Sequence, residues 1–329
     1  MNLAIRGIFS EEKTSGNHIL ATMEKPNSPS FSIVIETDNL AAVDLEELRS
    51  CLDTLDRQGE ALREADGVFV ADGGMVPESL LQELKGLYPW LTILHADAGA
   101  SYIELKLAGA LETNSEVIVF CDGDVKYEPG WLTALLEGFQ KRPDADLIAG
   151  ETTTPITGPY SLAFALTFNF PRLTGEKELS LSSTYWANNV AARRATLERI
   201  PLPDPSELFR GQNLVHTNRI LAKSGVILRQ PLARAWHAVL PPAEILQRYY
   251  KLGCDASAIR TITAKDTGKP YLGAMAPDRP GTSVFGRLID RLAQVSRTQP
   301  AVFLWLPLAL PLLAAMGVAY MCGRISEKK

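Results

Sequence analysis

The chain has 329 residues, 46% hydrophobic and 22% charged, with a formal net charge of −5. That is enough chain for one large globular domain or two small ones. The acidic balance excludes a nucleic-acid binder that relies on a basic surface. Cys51, Cys121, Cys254 and Cys322 are too far apart for a metal or redox motif and read as reduced, mostly buried thiols.

Residues 1–30 lack the basic start and long apolar core of a signal peptide and read as a loosely ordered lead-in, with a Pro/Asn/Ser cluster over Lys25–Ser30. Phe31–Glu36 (FSIVIE) is the first strand, leading into Thr37-Asp38-Asn39. Leu45–Leu62 is helical in period, with Leu45, Leu48, Leu52 and Leu55 as the apolar stripe. Gly67–Ala71 is a second strand closed by Asp72-Gly73-Gly74, and Pro77–Tyr88 a second helix. Leu91–His95, Ala100–Glu112 and Val117–Cys121 continue as strand, helix, strand. Strands alternating with helices of this length predict an α/β domain, with a mostly parallel central sheet and helices on both faces. Parallel strands place the polar ends Asp38-Asn39, Asp72 and Asp122-Gly123-Asp124 on one rim, where such sheets bind ligands.

Val117–Cys121 is continuously apolar and rich in β-branched residues, the mark of a strand buried on both faces. It ends in two carboxylates around Gly123. Either this is a solvated acidic turn, or the pair shares a divalent cation that holds a diphosphate. Beyond it come a helix over Trp131–Phe139, a strand over Leu147–Gly150, and a Thr/Pro/Ser-rich insertion over 152–181 with an apolar centre, Tyr160–Phe170. The insertion is where acceptor-recognising segments are expected. Tyr185–Ala192, a short helix to Ile200, a Pro-rich loop, a helix over Gly211–Ser224, a strand over Val226–Leu228, the domain's closing Ala235-Trp236-His237 and a helix over Pro241–Leu252 follow.

From Phe31 to His237 this order resembles the family 2 glycosyltransferases, nucleotide-diphospho-sugar transferases of the GT-A fold. Six pieces carry the likeness: Ile33–Asn39; Val68–Gly74; Lys106-Leu107-Ala108-Gly109-Ala110; Val117 to Trp131, with its Asp-x-Asp and Pro-Gly-Trp; Asn189–Arg194; and Gly211–Gly225. The resemblance implies transfer of a sugar from a nucleotide-diphosphate donor, with inversion as the family's habit. Asp122 and Asp124 are the expected catalytic pair, with Mg2+ or Mn2+ on Asp124 and Asp122. Thr37, Asp38 and Asp72 are expected at the nucleoside. Lys106 either faces the phosphates or is a solvated helix lysine, and His237 is either a third metal ligand or a packed structural residue.

The departures are as informative. Glu36 and Asp38 stand where the family has Pro and Tyr, and Ala71 replaces the first Asp of an Asp-Asp-Gly. The late helix opens Gly211-Gln212-Asn213 where the family carries its base as Gly-Glu-Asp, and an amide cannot accept a proton at neutral pH. His216 and Glu207 are weak substitutes. These amides motivate an alternative: a catalytically impaired nucleotide-binding or scaffold protein.

Ala301–Cys322 is uncharged and long enough to span a bilayer, and its Pro307 and Pro311 are tolerated in membrane helices. Val284–Arg297 is amphipathic and suits an anionic membrane surface. The expected layout is a lead-in over 1–30, a glycosyltransferase domain over 31–240, a helical juxtamembrane segment over 241–300, a transmembrane helix over 301–322 and a tail over 323–329. It places a cytoplasmic catalytic domain on the cell (inner) membrane, acting on a lipid-linked or envelope acceptor.

Overall fold

The computed structural model describes residues 28–167, 173–268 and 284–326. The lead-in to residue 27 and the end of the apolar piece at 168–170 lie outside the described residues. In chain order the elements are β1 (Phe31–Glu36), α1 (Glu46–Asp56), α2 (Glu60–Arg63), β2 (Gly67–Asp72), α3 (Glu78–Leu87), β3 (Leu91–His95), α4 (Tyr102–Leu111), β4 (Val117–Asp122), β5 (Val125–Tyr127) and α5 (Trp131–Lys141). There follow β6 (Leu147–Thr153), α6 (Pro159–Leu166), β7 (Ser180–Leu181), β8 (Asn189–Arg193), α7 (Arg194–Arg199), α8 (Gln212–Ala222), β9 (Ile227–His237), α9 (Pro242–Thr267), α10 (Val284–Thr298) and α11 (Val302–Ser326).

One sheet runs in the order β3-β2-β1-β4-β8-β6-β9-β5, with β7 on β9. Its first four strands are parallel, so β1, β2 and β4 end on one rim. From β8 onward the sheet is mixed: β8 is antiparallel to both β4 and β6, and β6 is parallel to β9. The parallel half is the one the helix–strand alternation predicted. The mixed half follows the change of sequence pattern after β6. β1 and β4 are buried along their whole length, as expected for strands covered on both faces. One apolar cluster joins α1, α3 and α5 to one face through Leu48, Leu52, Leu81, Leu84, Trp131 and Leu135. A second joins Ile103 of α4 and Ile220 of α8 to Val34, Ile118 and Phe120 on the other.

Three local departures from the sequence pattern have clear causes. The helix expected over Leu45–Leu62 breaks into α1 and α2 because Gly59 takes a left-handed φ of 62°. β9 runs on through Pro231 instead of stopping at Leu228, because the β6–β9 register shifts between Ala149 and Glu151. A bulge is where a strand tolerates proline. The Asn189 side chain spans that irregularity, donating to the Glu151 and Ala233 carbonyls (3.2 and 3.0 Å) and accepting from Trp131 Nε1 at 2.7 Å. The helix expected to end at Leu252 continues through Gly253 to Thr267, because Gly253 lies directly against the Tyr320 backbone of α11.

α11 packs lengthwise on the domain. Val302, Ala309 and Met316 join Leu162 and Phe164 of α6, Leu240, and Ile245 and Tyr249 of α9 in a third cluster. Leu304, Leu308, Val318 and Ile325 remain exposed on its outer side. By length and composition this helix can cross a membrane.

Candidate active site

β4 delivers Asp122 as its last residue, and Gly123 turns the chain into β5. The Gly123 N–H donates to the Glu36 carbonyl at 2.9 Å, and a Cβ at 123 would stand 2.9 Å from that same oxygen. Close approach of β1 therefore requires the glycine here. β5 pairs with β9 so that Val125 lies opposite His237. The bulge in β9 thus sets where the imidazole arrives: its Nε2 is 3.4 Å from Asp124 Oδ2. Asp122, Asp124 and His237 are all buried, and one ligand atom from each lies within 4.8 Å of the others.

The two aspartates differ in their surroundings. Asp122 is held from several directions. Lys106 Nζ donates to Oδ1 at 2.6 Å and to the Cys121 carbonyl at 2.7 Å; Asn39 Nδ2 donates to Oδ2 at 2.8 Å; the Tyr102 hydroxyl donates to Oδ1 at 3.1 Å. Asp124 is fully buried, and neither carboxylate oxygen has a hydrogen-bond donor among the described residues. Burial raises its pKa, the His237 charge opposes that, and Asp122 adds to it. An unsatisfied buried carboxylate is costly, and its natural partner is a cation. His237 Nδ1 lies 2.6 Å from the Ala238 carbonyl. That contact requires Nδ1–H to donate, which leaves Nε2 on the side of Asp124. Two carboxylates and an imidazole nitrogen oriented from behind form a donor set that fits Mg2+ or Mn2+.

α4 presses close to β1 because Gly109 sits against the Val34 side chain, and this carries Tyr102 and Lys106 beneath the end of β4. Lys106 is 1% exposed and lies behind Asp122, rather than on an open rim or in solvent. Glu36 is fully buried opposite Asp122 and accepts from Asn39 Nδ2 at 2.9 Å. Burial, then the Asp122 charge, raises its pKa well above the ordinary carboxylate value.

Asp38 is joined to this cluster by a residue that sequence reasoning missed. Arg210 Nη2 donates to Asp38 Oδ2 at 2.5 Å and to Asn39 Oδ1 at 2.9 Å, and its guanidinium lies 4.1 Å from the centre of the Tyr102 ring. Asp255 of α9 fixes the Arg210 loop by accepting the Phe209 and Arg210 backbone N–H groups, each at 2.8 Å. Arg248, also from α9, is a second missed cation. Burial first, and Arg210 next, lower its pKa, while Asp124 and Asp122 raise it. Position next to Gly211 is a signal that could have singled out Arg210. Arg248 had none, because α9 looked like a helix outside the domain.

Thr37 and Asp72 form their own pair at the ends of β1 and β2. Thr37 Oγ1 donates to Asp72 Oδ1 at 2.6 Å, and Asp72 also accepts from the Gly74 and Val76 N–H groups at 2.8 and 3.1 Å. The structure therefore gathers Asp122, Asp124, His237 and Lys106 into one cluster, ties Asp38 to it through Arg210, and sets Thr37–Asp72 beside it. At the late helix, Gln212 Nε2 donates to the Leu208 carbonyl and Asn213 Nδ2 to the Tyr185 carbonyl, both at 2.6 Å. His216 is bound at both ring nitrogens, by the Tyr185 hydroxyl and the Ile200 carbonyl at 2.6 Å each, and burial pushes its pKa down to about 4. Glu207 is exposed in a short 3-10 turn.

The sheet order, with an Asp-x-Asp at its rim, is that of the GT-A fold. The model of glycosyl transferase family 2 matches residues 32–199, and the chain belongs to that family; it is a glycosyltransferase. Two of the solved structures that share the fold illustrate the likeness. A mannosyltransferase, PcManGT from Pyrobaculum calidifontis in complex with GDP-Man and Mn2+, aligns over 92% of this chain and 89% of its own, with 14% identity and a TM-score of 0.56. GalNAc-T7 with UDP, GalNAc and Mn2+ aligns over 77% of this chain and 57% of its own, with 13% identity and a TM-score of 0.53. This chain thus spans little more than half the length of the second. No curated protein matches the sequence.

Proposed function

We propose that the chain transfers a sugar from a nucleotide-diphosphate donor to a lipid-linked or cell-envelope acceptor, in a reaction that depends on Mg2+ or Mn2+. The observation that carries this reading is Asp124, whose buried carboxylate has no hydrogen-bond donor among the described residues and lies beside Asp122 and His237. Asp124, Asp122 and His237 hold the cation, which when bound offsets charge building on the leaving diphosphate. Lys106, Asn39 and Tyr102 orient Asp122. Thr37, Asp72 and Asp38 border the nucleoside end of the rim, and transfer proceeds with inversion. α11 anchors the protein to the inner membrane with the catalytic domain on the cytoplasmic side, its outer apolar face meeting lipid.

The test is donor consumption by the purified full chain with Mn2+ or Mg2+, a panel of UDP- and GDP-sugars and a membrane extract. Turnover should vanish in Asp124→Ala. Absence of turnover with every donor, alongside nucleotide-dependent thermal stabilisation, would favour the catalytically impaired binding or scaffold protein that Gln212 and Asn213 suggest.

A further inference from the structure

α11 has the length and hydropathy of a membrane span, yet the domain holds it at both ends. Before its first turn, Gln299 Nε2 donates to the Ile156 carbonyl, between β6 and α6, at 2.9 Å. At its last turn, the Tyr250 hydroxyl donates to Ser326 Oγ at 3.0 Å and Ser257 Oγ to the Arg324 carbonyl at 3.4 Å. Between these ties Val302, Ala309, Met316 and Gly323 are buried. One buried residue in every seven is the seam of a helix packed lengthwise on a partner. Trp305, Leu306, Leu313, Ala319 and Tyr320 are half-buried beside it.

From Val302 to Gly323 the seam runs about 32 Å, the full thickness of a hydrocarbon core. An upright α11 would therefore draw α6 and the first half of α9 through the bilayer with it. Along that stretch α9 exposes Glu244, Gln247 and Lys251, which are costly to place in lipid. Away from the seam α11 is apolar. Residues 301–322 carry no charge, and Phe303, Leu304, Leu308, Leu310, Val318 and Met321 are exposed. The uncovered arc is wider than the narrow seam that one further helix would cover, and lipid is the partner that suits it. α10 does not take that place, because it turns its own apolar stripe, Leu288, Leu292 and Val295, onto the cluster that seats α11.

Resting on the membrane-anchor reading above, we propose that α11 lies in the plane of one leaflet instead of crossing the bilayer. Its exposed arc sits in the acyl chains, and the catalytic domain itself takes the place of the polar face that an interfacial helix otherwise carries. Ser326 then stays on the side of the membrane that holds the sheet, and the protein engages only the leaflet on that side.

The experiment uses the full chain with an epitope tag added after its last residue, expressed in a bacterium. Right-side-out and inside-out membrane vesicles are treated with protease and read with antibodies to the tag and to the catalytic domain. Tag and domain should be cut in the same vesicle population. A tag cut only where the domain is protected overturns the proposal and leaves the anchor standing, whereas a chain absent from the membrane fraction removes the anchor itself. Depth is read separately, from nitroxides on Leu304→Cys, Leu308→Cys and Val318→Cys, which share one side of the helix. Each is made with Cys254→Ser and Cys322→Ser, and collision with oxygen is compared with collision with a water-soluble nickel chelate. The three labels should lie within about 5 Å of a common depth. An upright helix would separate positions 304 and 318 by about 20 Å and overturn the proposal. Spin–spin broadening with shielding from both reagents would give this face to a second copy of the chain, and would overturn it as well.

Discussion

Neutralising Asp124 should stabilise the protein without metal and remove its response to metal. In Asp124→Asn the fully buried carboxylate, with neither oxygen receiving a hydrogen bond among the described residues, becomes an uncharged group of nearly the same shape. Leaving a buried charged acceptor unsatisfied costs about 2 kcal/mol or more. In EDTA at pH 8 the variant should therefore melt about 4–8 °C above the native chain, at roughly 2–4 °C per kcal/mol for a domain of this size. With Mn2+ at 100 times its dissociation constant, the native chain should gain about 2.7 kcal/mol and the variant almost nothing, reversing their order. The pH dependence has a definite sign. Because the folded pKa of Asp124 is raised, the native chain binds that proton more readily when folded. In EDTA its stability should rise as pH falls through the folded pKa toward the unfolded value near 3.9. The variant should lack that rise. Differential scanning calorimetry at several pH values with and without Mn2+ reads all of this. A lower melting temperature for Asp124→Asn in EDTA would refute the reasoning, since it would mean the native carboxylate is satisfied.

Lys106→Met leaves Asp122 buried without its 2.6 Å ion-pair partner and should cost about 3–5 kcal/mol in urea unfolding; a loss under 1 kcal/mol would mean Asn39 and Tyr102 suffice. His216, with its pKa pushed down to about 4, stays neutral in the folded chain while its unfolded counterpart titrates near 6.5. Stability should fall by up to about 3 kcal/mol as pH drops from 6.5 toward 4, and His216→Gln should flatten that limb. Gly253→Val would drive a side chain into the Tyr320 backbone. It should lift α11 from α9, seen as faster proteolysis after residue 300 with Mn2+ binding retained.

The parallel half of the sheet was legible because its strands carry their signal within themselves. β1 and β4 are unbroken apolar runs, and Asp122-Gly123-Asp124 marks a strand end wherever it falls. The mixed half was not, because its geometry depends on contacts distant in sequence. β9 is written across a proline, and only the bulge opposite Gly150, bridged by Asn189, makes that segment a strand. His237 could be nominated from sequence, but its meeting with Asp124 depends on that bulge. Lys106 shows the opposite failure. Its spacing suggested either the phosphates or solvent, whereas the close packing permitted by Gly109 draws it under β4. Arg210 was missed although it adjoins Gly211, because its place at the rim depends on Asp255 of α9 holding its loop, a contact that no linear pattern reports.

A boundary drawn at residue 240 would divide the site physically. Asp255 and Arg248 both come from α9, and α9 is held on its far side by α11 through the paired close approaches of Gly253 to Tyr320 and of Gly323 to Tyr250. Asp255 in turn fixes the backbone that presents Arg210 to Asp38. An unbroken set of contacts thus runs from the apolar helix to the rim of β1 and β4. Anything that shifts α11, such as transfer from detergent into a bilayer, bears on the loop that carries Arg210 before it bears on Asp124, whose backbone lies between β4 and β5. Metal affinity should therefore change less with the lipid environment than acceptor affinity does, which titration of Mn2+ and of acceptor in detergent and in vesicles compares.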